Sequence, residues 1–67
     1  MPFRDYPQFA PETLKTMAEA YDAVVARLRL GPADPRTGKL ASIIVQLAKA
    51  GVLDADKLAE QARMGLK

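Results

Sequence analysis

The sequence predicts an all-α fold: a three-helix bundle with a long first helix, a central apolar second helix and a short third helix, preceded by an irregular aromatic segment. Three observations carry this reading. Apolar residues recur at steps of three and four through 11–30, 35–50 and 55–64. Each stretch opens on a helix-start signal, namely Pro11, Asp34 with Pro35, and Asp54. Gly31 with Pro32, and then Gly51, punctuate the first two stretches where a helix would have to stop.

Residues 1–10 hold Pro2 and Pro7, which break a helix, and three of the four aromatic rings, Phe3, Tyr6 and Phe9. The first helix is expected from Pro11 to about Leu30. Phe9 and Leu14 are spaced as a hydrophobic staple around Ala10, itself a poor cap. Leu14, Met17, Tyr21, Val24 and Leu28 form its apolar stripe, widened by Ala18 and Val25. Gly31 is expected to take the left-handed position that closes it.

The second helix is expected over 35–50, capped by Asp34. Leu40, Ala41, Ile43, Ile44, Val45, Leu47 and Ala48 cover more than half its circumference, leaving a polar strip of Lys39, Ser42, Gln46 and Lys49. A helix this apolar needs cover on two sides, which predicts a central position with Ile44 and Leu47 deepest. Gly51 should end it, with Val52 folding back on Leu47. The third helix is expected over 55–64, capped by Asp54, with Leu53 and Leu58 as a second staple. Its inner face is Ala55, Leu58, Ala59 and Ala62, so it is expected to bury least and be the least stable.

Sixty-seven residues make a single domain over 11–67 behind the aromatic segment. Chains of this size bury only about 60% of their unfolded surface, so stability is marginal. The chain has no Cys and no His, which removes disulfides, thiolate metal sites and the commonest metal ligand. No cofactor or metal is therefore expected. No apolar run approaches the ~20 residues of a membrane span, and MPFRDYPQFA has no basic-then-apolar leader pattern. The chain is read as cytoplasmic, with no membrane partner.

Net charge is +2, but it is unevenly placed. Between 23 and 53 stand Arg27, Arg29, Arg36, Lys39 and Lys49 against Asp34 alone. These five are candidate contacts for an anion or an acidic partner. Arg36 and Lys39 begin the second helix, where free N–H groups also favour anions. The stretch GPADPRTGKL is not a phosphate-binding loop: six residues separate its glycines, and Leu40 follows Lys39 where that motif needs Ser or Thr. The segment LAKAGVLDADKLAE places two helices around a turn, as in helix-turn-helix readers. Counted from Gly51, however, Lys57 and Glu60 fall where that motif packs apolar residues. A would-be recognition helix holding Asp56 and Glu60 also suits DNA poorly.

Enzyme chemistry has little to work with. Ser42 is the lone serine and has no histidine for a base. Asp54 is a cap, and Asp56 lies in an exposed first turn. The chain is read as non-catalytic.

The run DPRTGKLASIIVQLAKAGVLDADKLAEQA resembles a family of small uncharacterised bacterial helical proteins with an Asp-Pro-x-Thr, Leu-Ala-x-x-Ile-Ile-x-Leu-Ala, Gly, Asp, Leu pattern. PETLKTMAEAYDAVV resembles that family's first helix. Gly38 departs from the pattern, where a helix-favouring Glu is expected. The resemblance implies a helical fold and brings no activity or site with it.

The expected function is a protein–protein interaction or regulatory module for an unidentified protein partner. The alternative is a nucleic-acid-binding accessory protein that uses the basic middle. Phe3, Tyr6 and Phe9 either cap the thin core, the preferred reading, or dock on the partner. With the rings covering the second helix, a monomer is favoured over a homodimer. In the dimeric alternative, a patch centred near Val45 pairs with itself.

Overall fold

The computed structural model describes residues 9–66. Phe3 and Tyr6 lie outside the described residues, and so does any packing expected of them. Three helices follow in order: α1 over Pro11–Leu28, α2 over Arg36–Lys49 and α3 over Ala55–Gly65. The described residues contain no strand.

Local signals set the helix starts. Ala10 is extended and gives no side-chain cap, as its chemistry requires, and Pro11 begins the helix behind it. Phe9 and Leu14 are both half-buried against the core, which fits the staple. α2 begins one residue later than expected, at Arg36. Pro35 already has helical backbone angles, and Asp34 caps from just before it, with Oδ1 accepting from the Arg36 N–H at 2.9 Å. Asp54 caps α3 as expected, accepting from the Asp56 and Lys57 N–H groups. Leu53 is 55% exposed, so the second staple does not close.

The helix ends divide into one expectation met and one corrected. Gly51 has φ 97°, and the Val52 N–H donates to the Leu47 carbonyl at 3.0 Å, the closure expected there. α1 stops at Leu28, two residues early, and Arg29 rather than Gly31 takes the left-handed position, with φ 53°. The Leu30 N–H then reaches back to the Val25 carbonyl at 3.0 Å. Ending the helix here turns Leu30 inward, where it is 6% exposed. That burial offsets the cost of a left-handed arginine.

The core is Met17, Ala20, Val24, Leu30, Leu40, Ile44, Val45, Ala48, Leu58 and Ala62. Ile44 is fully buried, as expected, but Leu47 is only half-buried, and Leu40 and Val45 take the deeper places. On α1 the buried line runs through Met17, Ala20 and Val24, with Tyr21 and Leu28 at its edge. Its centre is turned roughly 40° from the expected stripe at 100° per residue.

No helix is central. Each packs on both others, the α1–α3 pairing is the most extensive and the α1–α2 pairing the smallest. On α3, Leu58 and Ala62 are completely buried. α3 still buries fewest residues, Leu58 and Ala62 against three on α1 and four on α2, as expected. The self-pairing patch near Val45 is corrected, since Val45 is 5% exposed inside one chain. Among the described residues, no helix is long and apolar enough to cross a membrane.

Candidate functional site

A cleft of about 330 Å³ opens between α1 and α3. Ala23, Val24 and Arg27 line it from α1, and Asp56, Ala59, Glu60 and Arg63 from α3. The spacing explains the company: 56, 59, 60 and 63 form one edge of a helix, as do 23 and 27. The floor is apolar, with Val24 buried and Ala59 half-buried. The rim is charged. Arg27, Asp56 and Glu60 are exposed, and Arg63 is half-buried.

Two cations and two carboxylates therefore share one opening, and no ion pair within 4.0 Å joins them. Among the described residues, the one ion pair is Arg36 with Asp34. The polar groups of the lining are two guanidinium groups and two carboxylates, and it offers no hydroxyl, thiol, imidazole or amine side chain. Among the described residues, no group of three or more Asp or Glu gathers as a metal site would require.

The candidate basic residues are dispersed. Arg27 lines the cleft. Arg29 is exposed in the turn after α1. Arg36 is held by Asp34: Nη2 donates to Oδ2 at 2.8 Å and Nε to Oδ1 at 3.1 Å. This side-chain hydrogen bond, together with the Arg36 backbone N–H, lowers the Asp34 carboxyl from its ordinary value to about 2. The same contact raises the Arg36 guanidinium. Asp34 thus occupies the place at the start of α2 that was a candidate site for an external anion. Lys39 and Lys49 are exposed on the outer strip of α2 with Ser42 and Gln46, roughly 15 Å apart along the helix axis. Phe9 is half-buried and packs on the core.

The sequence reading passed over Asp56, Glu60 and Arg63 as site residues. Their spacing along one helix edge was legible. That this edge faces Arg27 depends on how α1 and α3 pack.

The chain matches no protein-family model, no curated protein and no solved structure.

Proposed function

We propose that this protein is a non-catalytic interaction module whose contact surface is the α1–α3 cleft. One observation carries the reading: four charged side chains surround an apolar floor, and none of them forms an ion pair among the described residues. Such a rim offers orientation and specificity to a docking partner, while the floor offers apolar area. Arg27 belongs to the contact surface. Arg29, Arg36, Lys39 and Lys49 act mainly as solvated charge.

The nucleic-acid alternative draws less support. Arg27 stands beside Asp56 and Glu60, and Arg36 is neutralised by Asp34. Both arrangements oppose a phosphate backbone.

The test is retention of proteins from the native cell extract on the immobilised full chain, beside the double variant Arg27→Glu with Arg63→Glu. The parent should retain a protein that the variant loses. An identical set on both would sink the cleft as the contact surface. A nucleic-acid titration at low ionic strength separates the alternative, since counterion release makes such binding strongest there.

A further inference from the structure

We infer that residues 1–8 form a strap over the seam between α1 and α2, which sets Phe3, Tyr6 and Phe9 in turn along one stripe of α1. The stripe is Leu14, Ala18, Tyr21, Val25 and Leu28, all half-buried and packed on the core. At about 100° per residue it lies on one side of the buried line, and the cleft residues Ala23 and Arg27 lie on the other, toward α3. The stripe therefore faces α2, and the α1–α2 pairing is the smallest of the three. On α2, Ile43 meets α3 at Gly65, and the small, half-buried Ala41 lies roughly 160° round the helix from it, toward this seam. Covering the rest of the stripe removes further apolar surface from water.

The chain itself names the occupant. The backbone bends sharply at the half-buried Phe9, so it does not run straight off the end of α1. Ala10 has φ -63° and ψ 153°, which is polyproline II geometry. Phe3, Tyr6 and Phe9 stand at every third position, among Pro2 and Pro7. Three residues make one polyproline II turn, so that geometry puts the three rings on one face, about 9 Å apart and spanning about 19 Å. Leu14 to Leu28 spans about 21 Å of helix. With Phe9 at the Leu14 end, Tyr6 reaches Ala18 and Tyr21, and Phe3 reaches Val25 and Leu28. The same register brings Arg4 toward Asp22, which is exposed at the outer flank of the stripe. The strap does not rest on the α1–α3 cleft, which opens on the other edge of α1.

Disulfide trapping in the full chain tests this. The sequence has no Cys, so each double variant can close a single internal bridge. One variant carries Arg4→Cys with Asp22→Cys. The other carries Arg4→Cys with Lys57→Cys, a position exposed on α3. None of these side chains belongs to the core, and circular dichroism matching the parent verifies the fold. In dilute oxidised protein the bridge from position 4 to 22 should form roughly tenfold faster than that from 4 to 57, because a disulfide needs its Cα atoms close together. Adding Phe3→Ala and Tyr6→Ala should slow the bridge to position 22 by a similar factor, since the rings hold the strap down. Equal rates for the two bridges overturn the inference. So does a fast bridge to position 22 that survives loss of both rings, because a tail tethered at Phe9 then explains it. If losing the rings abolishes retention of an extract protein and leaves that bridge rate unchanged, the segment docks on a partner and the strap is ruled out.

Discussion

The side chain of Ile43 lies against the Cα of Gly65: a β-carbon built on Gly65 would stand 3.3 Å from Ile43 Cδ1 and 3.5 Å from Cγ2. This contact joins the middle of α2 to the last residue of α3. The nearest atom is the free end of a side chain, which can shift by a few tenths of an ångström. Gly65→Ala should therefore change stability by less than about 1 kcal/mol, since the helix gain offsets the crowding. Gly65→Leu should cost about 1–3 kcal/mol. Urea midpoints of the two variants check this, and a leucine variant as stable as the parent would mean the helices do not meet there.

Ile44 and Leu58 are both completely buried, one on each side of the α2–α3 contact. Truncating either to Ala should cost on the order of 2–5 kcal/mol, a large share of a small domain's stability. The informative comparison is between them. If α3 merely covered the bundle, Leu58→Ala would melt well above Ile44→Ala. Its burial predicts similar losses in thermal unfolding.

Arg29 and Gly51 close their helices in the same left-handed conformation with opposite suitability for it. Arg29→Gly should stabilise the domain by about 1 kcal/mol, because glycine adopts this conformation without a Cβ clash. Gly51→Ala should destabilise it by about 1 kcal/mol or more. Chemical denaturation decides both. A destabilised Arg29→Gly would indicate that the arginine side chain contributes more than its backbone costs.

Asp34 should make stability fall in acid. Its carboxyl is lowered to about 2 in the folded chain by the Arg36 hydrogen bonds, against 3.8 ordinarily. A depressed folded value stabilises above the unfolded value, and that contribution is lost as pH falls through the interval toward 2. Asp34→Asn keeps a capping oxygen but removes the charge. It should melt below the parent at pH 7 and flatten the acid slope between pH 4 and pH 2. Parallel acid slopes for parent and variant would show that the pair does not form in solution.

Phe9 is half-buried against the core at the start of α1. Phe9→Ala should cost roughly 1–3 kcal/mol through lost apolar area. Deleting residues 1–8, which leaves Phe9 in place, then reports on Phe3 and Tyr6 alone. If those rings cap the core as the sequence reading prefers, the deletion lowers the melting temperature further. Unchanged melting with lost partner retention would make them a docking segment.

The number of helices, their order and most of their ends were determined by the sequence alone. Those signals act within a few residues: Asp34 and Asp54 reach N–H groups two or three positions on, Gly51 allows the left-handed closure onto Leu47, and steps of three and four mark the buried faces. Tertiary structure decided what depends on how the helices meet. It turned the buried line of α1 toward Ala20, exchanged Leu47 for Val45 in the core of α2, and moved the left-handed residue from Gly31 to Arg29 so that Leu30 could be buried. It also packed α3 against both other helices, with Leu58 and Ala62 completely buried. The cleft belongs to this second group. Its charges lie in two stretches about 30 residues apart in the chain, and only the packing of α1 on α3 brings Arg27 to face Asp56, Glu60 and Arg63. Local spacing sets which edge of a helix a residue occupies, but crossing geometry sets which other edge it meets.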